Sequence, residues 1–211
     1  MQRTGKIITV IKFGGTSVAC AKRWDAIASV AKERISSGAK PFIVCSALAG
    51  ISDLLHRLTS EARLGRYQET LDEIVGRHDA IASELGVERS MVDAEIDELK
   101  RLATGISLVG EASPKIIARV MSLGEILSTK LGCAYLKKSG LSAQWIDARK
   151  FIISSEVHPD GDPRKYLAAR AFPEFDASLS EIASDAKHDL TITQGFIGSN
   201  TSGETVLLGR G

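Results

Sequence analysis

The chain has no run of about 18 apolar residues, so neither a transmembrane helix nor a membrane partner is expected. Excess charge of one sign is also missing, with 27 Lys and Arg against 26 Asp and Glu. No net field therefore favours nucleic acid or a membrane surface. Cysteine is scarce, and Cys20, Cys45 and Cys133 are an odd number without metal-ligand spacing. His56, His78, His158 and His188 share no such spacing either. A reducing cytoplasmic compartment is the simplest expectation. The N-terminal stretch MQRTGKIITVIKF has too short an apolar segment for a signal peptide and no small-residue cleavage site. Internal repeats, low-complexity tracts and linkers are absent as well. What remains is 211 residues, 44% hydrophobic and 25% charged, an ordinary balance for a globular chain. A chain of this size buries roughly 70% of its unfolded surface and needs no staples.

Ile7 to Phe13 (IITVIKF) is β-branched and nearly continuous, which suits a strand buried on both faces. Trp24 to Ile35 reads as a helix with Trp24, Ile27, Ala28, Ala31 and Ile35 on one face, and Gly38 fits its stop. Pro41 to Ser46 is a second apolar run, so the chain opens as a parallel βαβ unit. The middle is helical. One helix spans Ile51 to Leu64. A second, Gln68 to Leu85, carries the stripe Leu71, Ile74, His78, Ile81 and Leu85. Ser90 is a candidate cap for a third, with Val92, Ile96, Leu99, Ala103 and Ile106 in phase. Residues 67–110 are expected to form an inserted helical hairpin that serves packing or a dimer surface. Ser113-Pro114 caps and opens another helix, expected to run to about Leu131. Strands are expected at Ser142–Asp147, Phe151–Ser154, Leu190–Ile197 and Glu204–Leu208, the last two joined through SNTSG. Val157 to Pro163 reads as an exposed loop and Leu179 to Ala186 as a helix. The sum is one α/β domain with parallel strands.

Four stretches can carry chemistry. In VIKFGGTS, residues 10–17, a strand ends on Lys12 before Gly14-Gly15. Paired glycines let backbone amides form a nest for an anion, and a lysine adds a point charge for phosphate. The lysine precedes the glycines, so this is not a Walker loop. A tight turn beside an exposed lysine is the plainer reading. Ser46 to Ser52 (SALAGIS) follows a strand and opens a helix, where hydroxyls either contact ligand or cap the helix. Gly124-Glu125 lies inside a helix, and a glycine there costs about 1 kcal/mol relative to alanine, so a close neighbour or ligand should compensate. Glu125 is flanked by Leu123, Ile126 and Leu127. It is either a partly exposed glutamate or a packed one that needs a cationic partner or donors. Finally, Arg210 stands between glycines after an apolar strand, either placed to clamp a carboxylate bidentately or frayed into solvent. Cys45 reads as a core thiol.

KFGGTS at 12–17, VCSALAGIS at 44–52, SLGEILS at 122–128, QGFIG at 194–198 and LGRG at 208–211 together resemble the aspartate kinases of the amino acid kinase superfamily. Order and spacing agree along essentially the whole chain. The resemblance implies an αβα sandwich with a mainly parallel central sheet, ATP and Mg²⁺ as nucleotide and metal, and L-aspartate as phosphoryl acceptor. It implies that Lys12 and the Phe13-Gly14-Gly15 backbone hold ATP phosphates, with Ser46 and Ala47 beside the transferred group. It places Ser52, Glu125, Phe196 and Arg210 on the substrate, with Glu125 at the ammonium and Arg210 at the α-carboxylate. Lys12 and Arg210 are the implied catalytic cations, and no protein metal ligand is implied. Ser52 stands where the family often has threonine. A homo-oligomer is implied as well.

The family usually continues from GRG into Gly-Ser-Asp, an adenine site and ACT regulatory domains. The chain is therefore expected to be the N-terminal portion of a longer kinase, truncated on the C-terminal side and poorly active alone. RWDAIASVAKERI and VCSALAGISDLLHRL also resemble bifunctional enzymes that fuse aspartate kinase to diaminopimelate decarboxylase. An acetylglutamate or UMP kinase of the same superfamily and a non-catalytic assembly module are the alternatives.

Overall fold

Three apolar runs become parallel strands, and the amphipathic stretches between them become the helices that cover the core. The computed structural model describes residues 7–155, 157–171, 179, 183, 185 and 187–209. Strand β1 (Ile7–Phe13), helix α1 (Ala21–Ser36) and strand β2 (Ala39–Cys45) form the expected parallel unit. Strand β3 is Ala143–Trp145 and strand β6 is Leu190–Gln194. The four-stranded sheet runs β1-β2-β6-β3, all parallel. This is an α/β fold with a mainly parallel central sheet, as anticipated. Every residue of β6 is buried, as a central strand requires. β1 corrects the reading of its apolar run. Among the described residues it lies at the sheet edge, and Ile7 is 76% and Val10 67% exposed.

Helices α2 (Ile51–Ala62), α3 (Gln68–Leu85), α4 (Asp93–Val109) and α5 (Pro114–Lys138) follow. The stripes of α3 and α4 are buried as their spacing foretells. Ser90 does not cap α4: it sits in a 3-10 turn, Arg89–Val92, and the helix starts at Asp93. Ser113 does cap α5, accepting from the Ile116 amide at 3.4 Å, with Pro114 at the first helical position. α5 runs past Leu131 to Lys138, because nothing breaks it before Gly140 turns left-handed at φ 84°. Within it, a Cβ on Gly132 would stand 1.9 Å from the Trp24 ring of α1, so the two helices meet through that glycine.

The last third departs most from expectation. Ser154–Ser155 (β4) pairs antiparallel with Arg170–Ala171 (β5), outside the central sheet. Val157 to Pro163 is the exposed loop expected, and it leads into a short helix that was not, α6 (Arg164–Leu167). Strands β7 (Ile197–Ser199) and β8 (Thr205–Leu207) form the expected hairpin. Asn200 holds its turn, its Oδ1 accepting from the Ser202 and Glu204 amides at 3.0 and 2.9 Å. The helix expected at Leu179–Ala186 lies mostly outside the described residues. Among the described residues no helix is long and apolar enough to cross a membrane.

Candidate active site

Phe13 pairs with Cys45 and Cys45 with Gln194, so β1, β2 and β6 end side by side. The chain leaves the sheet at Gly14, Ser46 and Gly195 along one edge, where open parallel sheets bind ligands. The Ser46 amide donates to Phe13 O at 3.1 Å and the Gly195 amide to Cys45 O at 2.9 Å, which ties the three ends together. With α2 and α5 they enclose a cavity of about 740 Å³.

Seven of the residues singled out in the sequence line this cavity: Lys12, Gly15, Ser46, Ala47, Ser52, Glu125 and Phe196. Phe13 and Gly14 do not line it. The Phe13 side chain packs on the core, and Gly14 is exposed beside the opening. Arg210 lies outside the described residues. Thr16, Asp53, His56 and Met121 also line the wall and were missed. The signal for His56 was available, since it follows Ser52 by one helical turn.

The two glycines after β1 differ. Neither adopts a left-handed conformation. A Cβ on Gly15 would lie 2.8 Å from Ala47 O, so packing of the two strand ends demands a glycine there. A Cβ on Gly14 would meet nothing within 4 Å, and its φ of −79° suits any residue. The fold gives no reason for Gly14. Lys12 is exposed at the same strand end.

Glu125 is 5% exposed, which decides for the packed carboxylate over the solvated one. Its Oε2 is buried and meets no hydrogen-bond partner among the described residues. Burial pushes its carboxyl up to about 7, opposed by the Ala47 and Gly195 backbone amides and by the Lys12 ammonium. A buried carboxylate with an unpaired oxygen on a cavity wall is a place for a cation. Gly124 beside it is explained by close helix packing: a Cβ there would lie 3.0 to 3.2 Å from Leu55, Ile51 and Ala47. Cys45 is the core thiol expected, its pKa raised by burial first and the Glu125 charge second.

Phe196 has φ 60°, the one positive φ outside glycine among the described residues, and its side chain is 40% exposed. Such a conformation persists only where the surroundings impose it. Here the Gly195 amide is held by Cys45 O, and Phe196 O accepts from the Leu208 amide at 2.8 Å. The strand read as Leu190–Ile197 is broken at this point, which turns Phe196 towards the cavity.

Known proteins resemble this chain in sequence and fold. The lysine-sensitive aspartokinase 3 of Escherichia coli (strain K12) is 35% identical over 97% of this chain, and the aspartokinase of Chlamydia muridarum (strain MoPn / Nigg) is 30% identical over 100% of it. The chain spans 44% of the length of either relative. The crystal structure of E. coli aspartokinase III in complex with aspartate and ADP superposes with a TM-score of 0.78 at 32% identity, covering 98% of this chain and 44% of that one. The amino acid kinase family as a whole matches residues 8–211. With the match continuous from the first sheet strand onwards, this chain belongs to the amino acid kinase family.

Proposed function

We propose that the chain is the N-terminal part of an aspartate kinase domain. The domain transfers the γ-phosphoryl group of ATP to the side-chain carboxylate of L-aspartate, giving 4-phospho-L-aspartate. The observation that carries this reading is Glu125. A buried carboxylate with an unpaired oxygen shares one cavity with an exposed lysine and an unfilled glycine turn. The cavity therefore has an anionic end suited to an ammonium and a cationic end suited to phosphate. An N-acetylated acceptor or a nucleoside monophosphate brings no ammonium to Glu125, which favours a free amino acid.

In this reading Lys12 and the Phe13, Gly14 and Gly15 backbone hold the ATP phosphates, and the open space over Gly14 fits them. Ser46 and Ala47 flank the transferred group. Ser52, Glu125 and the Phe196 backbone hold aspartate, and Arg210 its α-carboxylate, an assignment that rests on sequence alone. A carboxylate oxygen of aspartate attacks the γ-phosphorus, the bond to the β,γ-bridging oxygen breaks, and ADP leaves. The nucleophile is a carboxylate with an ordinary pKa near 4 and is already ionised at neutral pH, so no general base is required. Positioning and neutralisation of anionic oxygens supply the catalysis. Mg²⁺ would accompany the nucleotide and share in that neutralisation, and the Asp53 carboxylate with the hydroxyls of Thr16, Ser46 and Ser52 would supply hard oxygen donors on the cavity wall. Residues 67–110 are the inserted helical pair of this domain. A cytoplasmic homo-oligomer belongs to the same reading, supported by three free cysteines and by the family.

The test is phosphoryl transfer by the full-length protein offered aspartate, N-acetylglutamate or UMP. Aspartate-dependent ADP release, reduced by about 10²-fold or more in Lys12→Ala, is expected. Turnover with either other acceptor in place of aspartate would overturn the proposal.

A further inference from the structure

Glu125 stands on α5, and its placement depends on what fixes that turn of helix. Thr129 lies one turn on and is fully buried. Its Oγ1 donates to Glu125 O at 2.9 Å, shared with Ile126 O at 3.2 Å. A hydroxyl has one proton and two acceptor sites. Both acceptor sites are filled, by Gln194 Nε2 and by Trp145 Nε1, each at 3.0 Å. Gln194 is 3% exposed, and its Oε1 accepts from the Ala148 amide at 2.8 Å. Every polar atom of the two side chains is therefore used, and the amide of Gln194 has one possible orientation. Gln194 also ends β6. The next two residues are Gly195, whose amide acts on the Glu125 carboxylate, and Phe196 in its left-handed conformation. Neither Thr129 nor Gln194 lines the cavity.

We propose that Thr129 and Gln194 are positioning residues for the amino-acid half of the site. Their buried hydrogen bond fixes the Glu125 turn of α5 against the Gly195-Phe196 turn at the end of β6, and so sets the affinity for the ammonium-bearing acceptor. The inference rests on the reading of Glu125 as the ammonium ligand. Fully satisfied buried networks specify one geometry, and half-satisfied ones leave donors stranded. The glycine turn that holds the ATP phosphates follows β1, which β2 separates from β6, so this bond does not reach it directly. Loss of the strut is therefore expected to act on one substrate only.

Steady-state kinetics of the full-length protein tests this with Thr129→Val, Thr129→Ser, Gln194→Met and Glu125→Gln. Thr129→Val keeps the shape and deletes the hydroxyl, Thr129→Ser restores it, and Gln194→Met breaks the bond from the other side. Thr129→Val and Gln194→Met are each expected to raise KM for aspartate about tenfold, with KM for ATP within about twofold of the parent. Thr129→Ser should stay within about threefold of the parent for both substrates. An unchanged aspartate KM in either folded breaking variant, or a parallel rise of both KM values, would overturn the inference. If Thr129→Val does not fold, Gln194→Met decides by the same criterion. Glu125→Gln separates the two levels. If it leaves the aspartate KM unchanged, the reading of the site fails and the inference goes with it. If it raises that KM while Gln194→Met does not, the inference alone fails.

Discussion

Gly14 and Gly15 are neighbours with different physical reasons for having no side chain. Gly15→Ala forces a methyl against Ala47 O, a backbone atom that cannot swing away. It is expected to cost about 1–3 kcal/mol, read as a lowered urea midpoint. Gly14→Ala meets open space and is expected to leave stability within about 0.5 kcal/mol while raising KM for ATP about tenfold. Equal losses of stability would contradict the assignment of Gly14 to phosphate. Glu125 makes a second residue-level prediction. Its carboxyl titrates near 7 in the folded protein and near 4.5 when unfolded. The folded state thus holds the extra proton between those values. The associated stability is complete below about 4.5 and is lost as pH rises through about 7. Glu125→Gln removes the need to bury a charge and is expected to stabilise the unliganded protein at pH 8 by about 1–3 kcal/mol. The same change should weaken aspartate binding. Denaturation at pH 5 and pH 8 checks the sign, since the gain should appear only at the higher pH.

At the scale of elements, periodicity did well and junctions did poorly. The stripes of α3 and α4 were readable because three- and four-residue spacing reports one buried face whatever that face packs on. Ser90 was misread because a 3-10 turn can hold a capping residue just ahead of the true helix. β4 and β5 were not foreseen as a pair, because two-residue strands carry no period and their partner is distant in sequence. The helix expected to end at about Leu131 continues to Lys138, through Gly132, which packs against Trp24. Gly132→Ala tests that contact. The added methyl would overlap the Trp24 ring, which is fully enclosed, and a loss of about 2–4 kcal/mol is expected in thermal or urea unfolding. Gly124→Ala in the same helix should cost less, because its neighbours are largely side-chain methyl groups near 3.0 to 3.2 Å that can shift.

Over the whole molecule, acid stability is expected to depend on His78. It lies wholly buried among the helices, with Nδ1 bonded to Ile74 O at 2.7 Å and Nε2 without a partner among the described residues. Burial lowers its pKa below the ordinary histidine value of 6.5, so the unfolded chain takes up a proton that the folded one refuses. Stability is therefore full above about 6.5 and declines as pH falls below it, opposite in sign to Glu125. His78→Leu should flatten that decline in a stability profile from pH 7 to 5. A second expectation concerns extent. The chain spans 44% of the length of its aspartokinase relatives, and the 211 residues alone are expected to show little aspartate-dependent ATP turnover. Robust turnover by the purified chain would refute this. The sequence by itself determined the α/β class, the first parallel unit, the helical stripes and seven of the cavity residues. The fold features follow from local spacing, and the site residues were legible through the resemblance of their motifs, several of which fall at strand ends that parallel pairing brings together. Only the tertiary structure decided that β1 is an exposed edge, that Glu125 is buried with an oxygen unpaired, and that Gly14 is unexplained by packing. It also joined Thr129 to Gln194 across 65 positions. Burial and long-range hydrogen bonds depend on which surfaces meet, and no local pattern contains that information.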